Sequence, residues 1–85
     1  MKYKNFEIRP VLESENENKF ELVNWYKEAN CYVLAFIEYN PKTDYWNINS
    51  VGMRLIEDWE EGLDKYILSW IKLMAVCMGD KTNEI

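Results

Sequence analysis

Apolar and polar residues alternate in the first half of this chain and recur with helical spacing in the last third. Residues 3–12 carry apolar side chains at every second position, which predicts a half-buried strand. Pro10 has no backbone N–H, so this strand is expected at the edge of a sheet. The polar, acidic stretch 13–18 follows, and we expect it to be the most mobile loop within the chain.

Two longer apolar runs, 19–28 and 31–39, predict a β-hairpin joined at Ala29 and Asn30. Asparagine tolerates the positive φ angle that a tight turn needs. Both sides of the two strands are apolar, which is typical of the central pair of a sheet. A two-residue turn would fix the register of this pair and, with it, the face on which each side chain lies.

In that register Leu22 lies opposite Ile37, and Phe20 lies opposite Tyr39. The opposite face of the hairpin then pairs Trp25 with Leu34. The same register also places Glu21 against Glu38, a like-charge pair that counts against it.

A turn with Pro41 at its second position precedes a fourth predicted strand at 45–50. The pattern then changes to that of a helix at 58–78, with Asp58 as its N-cap and Gly79 as its C-terminal cap. Its apolar stripe is Trp59, Leu63, Tyr66, Ile67, Trp70, Leu73, Met74 and Cys77.

These elements predict an α+β fold in the order ββββα. The sheet is a four-stranded antiparallel β-meander, and one C-terminal α-helix packs on one face of it. A chain of 85 residues is expected to form a single domain, 1–85. The hydrophobic content of 48% predicts a folded protein and not a disordered tail.

The net charge of −5 and the scattered positions of the ten basic residues disfavour direct binding to nucleic acid or to an anionic membrane. The N-terminus has no apolar run after its first charges, and the longest apolar stretch, 66–78, is short for a bilayer span. We therefore expect a cytoplasmic protein. Cys31 and Cys77 are expected to be buried, reduced thiols.

The chain contains no histidine, no glycine-rich phosphate loop and no Cys-x-x-Cys pair. These absences remove the usual nucleophile–base pairs and most zinc sites, so we expect no catalytic residue, no cofactor and no metal. Five carboxylates cluster near the predicted start of the helix, where its dipole favours acidic residues. They are Glu57, Asp58, Glu60, Glu61 and Asp64. A second interpretation is an acidic surface that imitates nucleic acid and inhibits a host nucleic-acid-binding enzyme.

The predicted sheet has more apolar surface than one helix can cover. If the helix packs on the face with the smaller residues, which are Cys31, Val33, Ala35 and Ile37, the other face is left open. That open face would carry Trp25, Tyr32, Leu34 and Phe36. A contiguous apolar patch of this kind usually marks a contact site, so we expect a protein–protein interaction module that docks there on itself or on another protein.

Three segments of the chain form a further pattern. They are Cys31-Tyr32-Val33-Leu34-Ala35-Phe36-Ile37, Trp46-Asn47-Ile48 and Ser50-Val51-Gly52-Met53-Arg54. This pattern resembles small uncharacterised proteins encoded in phages and prophages of Gram-positive bacteria, in which a strand ending near V-G-x-R precedes a Trp-rich helix. The resemblance covers roughly residues 20–75. It implies a cytoplasmic accessory protein and brings no catalytic residues.

Overall fold

The computed structural model describes residues 2–12, 18–27 and 29–83. Its strands are β1 (Lys2–Tyr3), β2 (Phe6–Pro10), β3 (Lys19–Lys27), β4 (Asn30–Asn40) and β5 (Tyr45–Ser50). Its helices are α1 (Arg54–Glu57) and α2 (Leu63–Asn83). Residues 13–17, most of the loop predicted to be mobile, lie outside the described residues.

The strands form one antiparallel sheet in the order β1-β2-β3-β4-β5, which confirms the α+β fold and the sequential strand order. The first predicted strand, 3–12, is divided by a turn at Lys4 and Asn5, and Lys4 there adopts a φ of 52°. The sheet therefore gains a short edge strand. β2, which ends at Pro10, is the second strand of the sheet, so the edge position predicted from this proline is wrong for β2.

The register predicted for the central hairpin is wrong by two residues at Phe20 and Leu22 and by three at Val23 and Trp25. Leu22 pairs with Ala35 and not with Ile37, and a β-bulge follows between Leu22 and Val23. The observed register pairs Lys19 with Glu38. The like-charge contact that the predicted register required is thereby replaced by an opposite-charge pair.

The helix boundaries also differ from the prediction. Asp58 does not cap the long helix, because it ends the short helix α1 instead. Gly62 has a φ of 91°, a left-handed conformation that interrupts the helical path, and α2 begins at the next residue, Leu63. At the other end α2 continues through Gly79 to Asn83.

The core lies between α2 and one face of the sheet. Its helical side consists of Leu63, Tyr66, Ile67 and Trp70. Its sheet side consists of Phe6, Ile8, Phe20, Leu22, Leu34, Ala35 and Ile37. Trp70 meets the ring of Phe20 edge-on at a centroid distance of 4.7 Å and that of Trp46 at 5.7 Å. The Tyr66 hydroxyl accepts a hydrogen bond from the Ile8 N–H at 3.1 Å, and burial raises the pKa of Tyr66.

Candidate protein-interaction surfaces

The bulge in β4 separates the four residues that the sequence placed on one open face. Leu34 has no exposed surface and belongs to the core beneath α2, and Tyr32 packs against that core from the same side. Trp25 and Phe36 lie on the opposite face. The prediction of a single four-residue patch is therefore wrong, because the bulge at Leu34 breaks the alternation on which it depended.

The outer face of the sheet, opposite α2, has an apolar centre. Val23 pairs with Val33 at the middle of the face, Trp25 pairs with Cys31 on one side of them, and Phe36 lies opposite Glu21 on the other side. We call Val23, Trp25, Cys31, Val33 and Phe36 the outer band. Val23 is fully buried although it lies outside the helix-side core, and the other four residues of the band are partly buried.

Charged side chains lie over both ends of the outer band. The guanidinium of Arg9 lies 5.6 Å from the Trp25 ring and forms an ion pair with Glu21 at 2.7 Å. The ammonium of Lys19 lies 4.8 Å from the Phe36 ring. The hydrogen bond to Glu21 raises the pKa of Arg9. Cations over aromatic faces are weakly attractive at such distances and keep both rings partly covered.

The band also has an acidic partner at its edge. The Trp25 indole N–H donates to Glu7 Oε1 at 3.2 Å, and the Arg9 guanidinium reaches Cys31 Sγ at 3.6 Å.

Cys31 is partly buried, as a structural thiol would be. Cys77 is exposed on α2, so the expectation that both thiols are buried is wrong for this residue.

The five clustered carboxylates do not form one surface. The carboxylate of Asp58 points to the sheet, where it accepts hydrogen bonds from the Tyr32 hydroxyl and from Asn24 Nδ2. Glu60 forms an ion pair with Lys4 at 3.2 Å, and its hydrogen bond raises the pKa of that lysine. The side chains that stay exposed are Glu57, Glu61 and Asp64.

A second apolar surface, which the sequence did not indicate, lies at α1. Met53, Ile56 and Trp59 are 59%, 66% and 47% exposed. The sequence interpretation placed Trp59 in the buried stripe of the long helix. Their spacing of three residues could have revealed a common side, but only if a separate short helix had been recognised first.

The described residues offer no evident metal site, because no three His, Cys, Asp or Glu side chains among them converge on one point. Neither helix, over its described residues, has the length and apolar character needed to cross a bilayer. No family model, curated protein or solved structure matches the chain.

Proposed function

We propose that this protein is a small protein–protein interaction module and that the outer band is its docking surface. The observation that carries the proposal is the position of Trp25 and Phe36 on a sheet face against which neither helix packs. Tryptophan and arginine dominate the energetics of many protein interfaces, and Arg9 lies directly on Trp25. An apolar centre surrounded by charged residues is also the usual anatomy of such a surface.

The occupant that fits this face is a second copy of the chain. The charges around the band have both signs, with Arg9 and Lys19 beside Glu7, Glu21 and Glu38. In a two-fold pair each surface meets itself, so a face with both signs can match bases of one copy with acids of the other. A face whose charges were all of one sign would repel the same face of a second copy.

The size of the face limits the strength of this association. Five strands spaced about 4.8 Å apart, with central strands about 30 Å long, give a face of roughly 600 Å². Specific complexes bury about 800 Å² per partner, so the pair is expected to be weak and dependent on concentration. The net charge of −5 on each copy also opposes pairing.

Light scattering on a sizing column tests the proposal, with the protein loaded at concentrations up to about 1 mM. We expect the mass to rise from monomer towards dimer. The double variant Trp25→Ala, Phe36→Ala should remain monomeric and folded. A matched control, Leu68→Ala with Val76→Ala, removes two side chains of α2 that are 56% and 63% exposed, and it should still dimerise.

Either of two results would reject the proposal. One is a wild-type protein that stays monomeric over the whole range. The other is a double variant that dimerises as well as the wild type, which would place the contact on another surface. Circular dichroism of each variant establishes that a change in mass does not result from unfolding.

A further inference from the structure

The segment around α1 is attached to the rest of the molecule by Leu55, which packs against the core, and by polar groups that reach the sheet. Arg54 lies 5.9 Å from the Tyr32 ring and donates to the Val33 carbonyl oxygen at 3.4 Å. Asp58 accepts from the Tyr32 hydroxyl and, at 3.2 Å, from Asn24. A short surface helix usually turns its apolar residues inward and its charged residues outward. Here the charged residues Arg54 and Asp58 face the sheet.

The opposite side of the same segment is apolar. Met53, Ile56 and Trp59 follow one another at intervals of three residues. Met53 is the N-cap of α1, Glu57 N donates to its carbonyl oxygen, and a turn hydrogen bond from Trp59 N to Ile56 O follows the end of the helix. Residues at this spacing lie on neighbouring turns of one side. We call these three side chains the α1 patch. About half or more of each side chain's surface is in contact with solvent.

The charge beside the α1 patch is negative. Glu57 and Glu61 are exposed, and neither forms an ion pair within the described part of the chain. Lys4 pairs with Glu60, and Arg54 contacts the Tyr32 ring and the Val33 carbonyl oxygen, so neither of these bases forms an ion pair with Glu57 or Glu61. A partner with basic residues would therefore meet two carboxylates that are free to form ion pairs with it.

The patch is held in a defined position. Gly52, with a φ of 57°, precedes it, and Gly62, with a φ of 91°, follows it. The Tyr3 hydroxyl donates to the Glu61 carbonyl oxygen at 2.6 Å and ties the end of the segment to the first strand. A surface that is ordered before binding loses less entropy when a partner binds.

We infer that the α1 patch binds a basic amphipathic segment of another protein, with the apolar side of that segment on Ile56 and Trp59 and its lysines or arginines near Glu57 and Glu61. Apolar contact and charge complementarity together select this occupant. A second copy of this acidic chain fits poorly here, because the carboxylates beside one patch would meet those beside the other. The site is separate from the outer band and does not depend on it.

A synthetic helical peptide of about 14 residues, with leucine at helical spacing and lysine elsewhere, is a suitable probe. We expect it to bind the 85-residue chain in calorimetry and to shift the amide resonances of residues 53–61 in NMR spectra. A peptide with glutamate in place of every lysine should bind at least ~10-fold more weakly. Higher salt should weaken binding of the lysine peptide.

Two variants separate the contributions of apolar contact and of charge to peptide binding. Ile56→Ser with Trp59→Ser should weaken binding by about 10-fold or more, as expected for the loss of interface anchors. Glu57→Gln with Glu61→Gln should weaken it less and remove most of its salt dependence. Leu68→Ser with Val76→Ser, a control that changes exposed apolar residues of α2, should bind like the wild type.

Three results would overturn the inference. They are equal binding of the glutamate peptide, resonance shifts that fall outside residues 53–61, and unchanged affinity in the Ile56 and Trp59 variant. Because the outer band is tested by solution mass and this site by peptide binding, failure of one proposal leaves the other intact.

Discussion

The two faces of the sheet cover their apolar side chains by different means. On the helix side, Trp70 is 6% exposed and is enclosed by the rings of Phe20 and Trp46. On the outer face, Trp25 is only partly buried and is covered by the flexible side chain of Arg9. A rigid helix covers one face permanently, whereas a long charged side chain can move aside. The first arrangement stabilises the fold, and the second leaves a surface that a partner can reach.

The largest expected difference is between these two tryptophans. Trp70→Ala should cost about 3–5 kcal/mol in the free energy of unfolding, because it leaves a cavity between two aromatic rings. Trp25→Ala should cost about 1–2 kcal/mol, because only part of its apolar surface is buried. Urea unfolding of both variants measures the contrast. Equal losses would show that the outer face is a second core and not a docking surface.

A smaller effect is expected at the hydrogen bonds that anchor α1. Tyr32→Phe removes the hydroxyl that donates to Asp58 and accepts from Asn24, so it should cost about 1–2 kcal/mol in stability. Tyr39→Phe is the matched control, because its hydroxyl donates to Asp44 in an exposed turn, and it should change stability little. If the two variants unfold at the same urea concentration, the contact between Asp58 and Tyr32 does not hold α1 on the sheet.

The smallest expected effect is the pH dependence that Tyr66 gives to the free energy of unfolding. Burial raises its pKa above the ordinary value of 10.0, so the folded state holds the phenol proton more tightly than the unfolded state. This stabilisation is complete below pH 10 and is lost as the pH rises through the folded pKa. Tyr66→Phe cannot ionise, so the stability difference between wild type and variant should change above pH 10, in favour of the variant. A difference that stays constant with pH would contradict the burial of this hydroxyl.

The sequence predicted the layers of this fold well and its details less well. Residues 63, 66, 67 and 70 follow a clear helical period, and all four are buried as expected. The bulge at Leu34 could not be predicted, because apolar residues occupy both faces of β4. The positions of the apolar residues then do not show which face of the strand is buried. Leu34 and Phe36 therefore appeared equivalent, although one lies in the core and the other on the outer face.

The start of the long helix shows a second limit. Asp58 with Glu61 has the spacing of a capping box, and the acids that follow favour a helix terminus. What decides the start is Gly62, whose left-handed φ separates α1 from α2. Its hydrogen atom also faces the Tyr3 hydroxyl, only 2.6 Å from where a Cβ would lie. Local sequence patterns cannot predict a contact between residues so far apart in the chain. The sequence therefore did not predict α1 as a separate helix, nor the α1 patch.

The chain contains four tryptophans, which report on different parts of the molecule. An NMR dilution series that follows their four indole N–H resonances tests the central proposal most directly. The account predicts that the Trp25 resonance shifts with protein concentration, because the outer band becomes covered as copies associate. The resonances of Trp70 in the core and Trp59 in the α1 patch should stay fixed. A Trp25 resonance that does not move, or a Trp59 resonance that moves in its place, would contradict the assignment of the outer band as the docking surface.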